Sequence, residues 1–455
     1  MPRYLDDFSA LAGSVEPKDF WDPVKFIPFD KEKNIYLSLG GEARLTYEFY
    51  ENNLFGAGPQ DNGGFFLQRY LLHADFHVAP SFRSFVQLQS SLIDGRRGGP
   101  RPVDRDELDL HQTFAEWTPL EEDFKLSLRV GRQELNYGSG RLVTFRDGPN
   151  NRLAFEAVVL TLARPADQWS VDGFVGRPLE TDARAFDNQT LDTESLWGLY
   201  ATTAVPGVQG LKSDLYFLGF DRDPSRFNEG IRGETRYSLG SRLHGRWAGV
   251  DMNLEGLYQF GNFGEGNLSA WTFASDNGYT WSQLPGKPRL GMKANIASGD
   301  ETSGDGNLNT FNALYPRGGY FGEIGLIGPA NFYNFHPNLS FVPAKGLRVS
   351  TDAIFFWRQS LNDGIYGPSG NLIRAAGTSQ ADYIGTQIDF SIHWQIDPHW
   401  SCSFEYAHFS QVILSRTPAP PMTWTLFNLE PPTAFDVNDS FHVFASSRLC
   451  VKNSP

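Results

Sequence analysis

Apolar and polar residues alternate strictly along most of this chain, and that alternation constrains its fold more than any other feature. From Ile35, the residues Ile35, Leu37, Leu39, Ala43, Leu45, Tyr47 and Phe49 share one face, while Tyr36, Ser38, Glu42, Arg44, Thr46 and Glu48 share the other. A period of two means a β-strand with one apolar and one polar face. The pattern returns at 66–78, 83–92, 125–130, 234–243, 250–259, 289–296, 347–358 and 384–396. No apolar run reaches ~18 residues, so no transmembrane helix is expected. A mean hydropathy of −0.37 does not oppose a membrane location. A membrane barrel turns only alternate residues to lipid and keeps its loops and lumen polar.

The expected fold is all-β: one transmembrane antiparallel β-barrel of about eighteen strands over 34–455, preceded by an N-terminal lead-in or periplasmic segment at 1–33. Tight connections such as Val78-Ala79-Pro80-Ser81 and Asp397-Pro398-His399 alternate with long ones at 50–64, 94–107, 178–194, 222–231, 298–330, 361–380 and 414–435. Short periplasmic turns with long outer loops are the asymmetry of an outer-membrane barrel. Aromatics at strand ends, including Trp117, Tyr258, Trp271, Trp281 and Trp394, suit interfacial girdles.

Other classes are poorly served. A net charge of −14 with no clustered basic face disfavours nucleic acid. Aromatics make up 14% of the chain, which argues against disorder. Cys402 and Cys450 lie too far apart in sequence to suggest a zinc site or a disulfide framework. No Gly-x-Ser-x-Gly, His-Glu-x-x-His or Walker motif occurs, so no catalytic residues are expected. His73 and His77 share a strand face but stand ~13 Å apart, too far to share a metal. The acidic run at 300–306 reads as a solvated outer loop in which calcium is the one candidate cofactor. Residues 1–32 lack the features of a secretory signal peptide.

The polar faces carry the functional signal. Of 39 basic residues, 29 are arginine. Strand parity turns Arg44, Arg69, Arg83, Arg129, Arg236, Arg242, Arg289, Lys293, Arg348 and Arg358 toward the lumen. Guanidinium groups bind carboxylates bidentately and stay charged. Two readings stay open: a row of anion sites, or a salt-bridge ladder with Glu42, Glu48, Asp75, Glu234, Asp251, Glu255, Asp352 and Asp389.

Three segments add a resemblance. They are Tyr36-Leu37-Ser38-Leu39-Gly40-Gly41-Glu42-Ala43-Arg44, Leu108-Asp109-Leu110-His111-Gln112, and Arg129-Val130-Gly131-Arg132-Gln133-Glu134-Leu135 with the Gly-rich stretch that runs on to Asn150. Together they resemble the alginate-export outer-membrane barrels, from about Ile35 onward. The resemblance implies a monomeric channel with an electropositive lumen that passes an anionic polysaccharide through the outer membrane. Lipid surrounds such a barrel, and a periplasmic export scaffold is an implied partner. It also implies that Arg129, Arg132 and Arg141 are pore or constriction residues. Arg132 falls on the apolar parity, which requires either a bulge at Gly131 or a place at the rim. The strand read at 436–449 lacks a terminal aromatic. The rival readings are a general anion-preferring diffusion porin and a secreted β-rich carbohydrate-active enzyme.

Overall fold

The computed structural model describes residues 2–13, 19–56, 58–79, 81–121, 123–377 and 379–411, together with the strand backbone at 423–429 and 446–449. Seventeen continuous strands follow one another around a single antiparallel sheet. The first nine are Ile35–Tyr50, Asp61–Val78, Phe82–Asp94, Asp106–Glu121, Lys125–Gln133, Phe155–Arg164, Trp169–Glu180, Glu194–Ala204 and Leu211–Phe227. The next eight are Gly230–Trp247, Val250–Phe263, Gly266–Thr280, Arg289–Ala297, Phe332–Ala344, Leu347–Trp357, Tyr383–Gln395 and Trp400–Gln411. An eighteenth stave is built in two pieces, Thr423–Leu429 and Ser446–Leu449. Both pieces pair with the seventeenth strand on one side and with Ile35–Tyr50 on the other, as in Tyr47↔Leu429 and Gly41↔Leu449. The sheet therefore closes into a barrel and leaves no edge.

The alternation is realised as read. Leu160, Val175, Leu199, Leu215, Leu239, Leu290 and Phe335 are exposed on the outer wall, while Ser38, Glu42, Arg44, Arg69 and Gln87 are buried inside. Trp117, Tyr258, Trp271, Trp281 and Trp394 also face outward, as girdle residues should.

Three details differ from the sequence reading. The connection at 222–231 is a tight turn, because its strands run on to Phe227 and resume at Gly230. The stretch 414–435 contains the strand Thr423–Leu429. Ile384, read as outward, lies inside: Phe356 pairs with Gly385 and Trp357 with Tyr383, so Ile384 bulges out of register and is turned inward. Cys450 and the reading of a strand over 436–445 fall outside the described residues.

At the long-loop end, 298–331 and 358–382 are stitched together. The Asn331 side-chain amide donates to the carbonyls of Ser360 (3.0 Å) and Gly364 (2.8 Å). Asp363 accepts from the Asp300 backbone N–H (2.9 Å), the Thr310 hydroxyl (2.6 Å) and the Tyr366 hydroxyl (2.6 Å). Burial, reinforced by the charges of Asp363, Glu229 and Asp305 and opposed by the Thr302 N–H, lifts the Asp300 carboxyl to about 6. Burial also raises Asp363. The folded loop pair thus holds protons that the unfolded chain gives up earlier. Its stability is greatest at acid pH and falls as pH rises through about 6. Hydrogen exchange in vesicles should show protection at 298–306 and 358–364 dropping between pH 5 and 7.5. In Asp300→Asn that drop should be much reduced.

Candidate functional site

A buried charge network occupies part of the lumen. Glu42, on the first strand, accepts from Arg69 (2.7 Å), Arg3 (2.7 Å) and Arg152 (3.4 Å). Asp147 accepts from Arg69 (2.8 Å) and Arg152 (2.6 Å). Glu134 meets Arg152 (3.4 Å) and His111 (2.9 Å). Arg44 spends its donors on loop carbonyls, those of Asp147 (2.7 Å), Gly148 (3.1 Å) and Pro149 (2.8 Å). Burial alone would lower the Arg152 guanidinium, but Asp147, Glu42 and Glu134 more than reverse this and raise it. Asn150 completes the anchorage: its amide donates to the carbonyls of Gln68 (3.1 Å), Leu92 (3.1 Å) and Asp104 (2.9 Å). The segment 134–154 is therefore an inward loop bolted to the wall. Arg44 and Arg69 are its bolts and are not open to an ion.

Most of the other arginines form the ladder. Arg83 pairs with Asp75 (2.5 Å), Arg129 with Glu116 (2.6 Å), Arg242 with Asp214 (2.9 Å) and Arg289 with Asp251 (2.5 Å). Arg236 pairs with Glu234 and donates to Gln259 (2.6 Å). Arg141 lies on the inward loop and binds Glu255 (2.7 Å) and the Tyr320 hydroxyl (2.6 Å). Arg358 clamps the backbone of 379–381, through Ser379 (2.9 Å) and Ala381. The N-terminal turn Arg3–Leu5 enters from the short-turn end. Tyr4 packs edge-on against Phe114 at 5.6 Å, under the Arg129 guanidinium at 4.2 Å.

Arg132 resolves to the rim. The register runs unbroken through Gly131, so no bulge exists there. Gly131 adopts φ +128, and a Cβ would lie 2.4 Å from the Thr113 carbonyl, so only glycine fits. Arg132 shares the parity of the exposed Val130 and binds Glu156 (2.8 Å) and Asp109 (3.3 Å). It does not line the lumen.

A second inward loop, 298–331, meets the first. Val143 and Tyr315 form a parallel bridge, with Thr144 N–H to the Tyr315 carbonyl (3.1 Å) and Tyr315 N–H to the Leu142 carbonyl (2.8 Å). Phe311, Leu314, Phe321, Leu326 and Ile327 bury against wall residues such as Leu196, Phe220, Phe332 and Phe356. The inner wall near the loops is thus apolar, which strand parity alone does not reveal.

Open space remains on either side of this block. An inner cavity of about 490 Å³ is lined by Arg289, Lys293, Arg317 and Arg348 among Asp251, Asp276, Glu323, Asp352 and Asp389. Burial, then Glu405, Asp389 and Asp352, hold the Glu323 carboxyl well above its usual range. An outer cavity of about 630 Å³ is lined by Arg146, Arg222, Arg226, Glu194 and Tyr315, with loop residues near Pro178 and Ser369. Smaller voids of about 20 Å³ and 10 Å³ adjoin the second inward loop, each with room for a single water at most. Among the described residues, no three His, Cys, Asp or Glu side chains are placed to share an ion.

A closed barrel with a lipid-facing apolar wall, polar strand interiors and infolded loops has the architecture of an outer-membrane channel protein. The alginate-export family profile matches residues 35–411, and the chain belongs to that family. No curated protein sequence matches the chain. Solved barrels share the fold at low identity. Acinetobacter baumannii OccAB1 is 10% identical, with a TM-score of 0.58 over 90% of this chain and 98% of that one. Pseudomonas aeruginosa OpdO is 14% identical, with a TM-score of 0.54 over 86% and 95%. Pseudomonas aeruginosa OccK2 (OpdF), solved in complex with glucuronate, is 12% identical, with a TM-score of 0.53 over 86% and 95%.

Sequence reasoning missed Asp147, Asn150, Arg152, Arg146, Arg222 and Arg226. The first four lie in or beside the Gly-rich stretch that carries the resemblance, so their place in it was the available signal. The network makes its own test. Glu42→Gln leaves Arg69 and Arg152 buried with less counter-charge, and breaking such a buried pair costs about 3–5 kcal/mol. The urea midpoint in lipid vesicles should fall accordingly. An unchanged midpoint would show that the network does not hold the loop.

Proposed function

We propose that this barrel passively exports an anionic, uronate-rich polysaccharide of the alginate kind. Membership of the alginate-export family across 35–411 carries the reading. The glucuronate complex of a similarly folded barrel supports a carboxylated sugar as cargo, and so does the basic outer cavity. The polymer's carboxylates would step between cationic groups, each weak enough to release, with no bond made or broken. In this reading the protein works as a monomer in lipid, with a periplasmic export scaffold at its short-turn end. On the same reading the contact between the inward loops, which meet at Val143 and Tyr315, is its gate.

A general anion-preferring porin is the second reading. The mixed lining of the inner cavity, four basic side chains among five acidic ones, supports a porin in that it offers a polyanion no continuous cationic track, though it lends no preference for anions. Planar-bilayer recording separates the two. An export pore should give anion-selective steps that a short oligouronate blocks, whereas a general porin's steps should ignore the oligomer. The gate has a separate test. Val143→Cys with Tyr315→Cys, oxidised to a disulfide, should silence the channel, and reduction should restore its steps. Steps that persist in the cross-linked protein would place the gate elsewhere.

A further inference from the structure

Most interior arginines of this barrel already have a carboxylate or a carbonyl; of the others, Arg317 and Arg348 lie among the five acidic side chains of the inner cavity, whereas Arg146 and Arg226 line a space with a single carboxylate. Arg146 makes no hydrogen bond or ion pair among the described residues; its guanidinium lies 5.8 Å from the centroid of the Tyr315 ring. Its backbone is left-handed, at φ 53, which is unfavourable for a side chain of this size. The next residue, Asp147, is fixed by the Glu42 network, so the strained turn is imposed by anchorage on the C-terminal side. Arg226 likewise has no side-chain partner among the described residues, and it is exposed to the same cavity. Arg222 has one, Glu194, at 2.8 Å. The other Glu194 oxygen takes the Tyr315 hydroxyl at 2.8 Å, so this carboxylate has little left to offer Arg146. Arg146, Arg222 and Arg226 thus line one space of about 630 Å³ at the long-loop end of the barrel, in which Glu194 is the one carboxylate among the lining residues.

From this juxtaposition we infer that Arg146, Arg222 and Arg226 form a carboxylate-binding site for a uronic acid residue at the outer mouth. The inference rests on the anionic-saccharide reading above and gives it a particular site. Guanidinium groups present planar paired donors that match a carboxylate, and a cluster with unbalanced charge gains most from a ligand that supplies the missing anion. The volume admits one or two sugar rings. Because this space lies at the long-loop end, occupancy does not require passage between the inward loops.

The test is titration calorimetry on detergent-solubilised full-length protein with a uronic acid trisaccharide, and with neutral glucose and inorganic phosphate as separate arms. The trisaccharide should bind the native protein in a salt-sensitive way, and glucose should not bind. Arg146→Gln and Arg226→Gln should each weaken binding about tenfold or more, and Arg146→Lys less. Arg132→Gln, at the paired rim position, should bind as the native protein does. Arg226 is exposed and unpartnered, so its variant reports on the site even if Arg146→Gln folds poorly. Phosphate binding as tightly as the trisaccharide would overturn the preference for a carboxylated sugar. Native-like binding by both glutamine variants would overturn the site. If the trisaccharide still blocks wild-type conductance in that case, the export reading stands and this site alone has failed. If it neither binds nor blocks, both fail.

Discussion

The interior of this barrel depends on the buried carboxylate of Glu42. Sitting on the first strand, it is surrounded by Arg3, Arg69 and Arg152, which come from the N-terminal turn, the second strand and the inward loop. Charges this deeply buried are stable only when each has its counterpart. With Asp147 and Glu134, Glu42 therefore fixes where the loop 134–154 lies. Once that loop is fixed, Val143 is placed to meet Tyr315, and the second loop is held across the lumen.

The same arrangement changes what an arginine-rich lumen means. Arg69, Arg129, Arg236, Arg242 and Arg289 each have an acidic partner within 3 Å. They shape the channel, and they contribute less net field than their number suggests. What remains for a ligand is the local excess where wall carboxylates run out, at Arg146, Arg222 and Arg226. A count of lumen cations by parity therefore overstates the attraction for anions and misses its location.

The wall was readable because a strand repeats its burial every second residue, and lipid on one side with a polar interior on the other keeps that contrast strong. Ile384 failed because a single bulged residue inverts parity without any compositional mark. The turn at 228–229 failed because a register shift between Arg222 and Ser225 breaks the alternation before it. The inward loops were unreadable for a different reason. Their contacts are side chain to distant backbone, such as Arg44 to Pro149 and Asn150 to Leu92, and no local period encodes them. Arg132 was half legible: its parity was right, and the glycine beside it serves the close approach of Thr113, not a bulge.

The last stave, split between Thr423–Leu429 and Ser446–Leu449, has one further consequence. A cylinder made from a ribbon is weakest along its seam, and here one lip of the seam is Ile35–Tyr50. That same strand holds Glu42 and Arg44, so the plug grips the lip from inside while the described pieces of the last stave hold it from the edge. The inward loop acts as a buckle as well as an obstruction. Shutting the cylinder and filling it become one cooperative event, and whatever loosens the filling also loosens the seam.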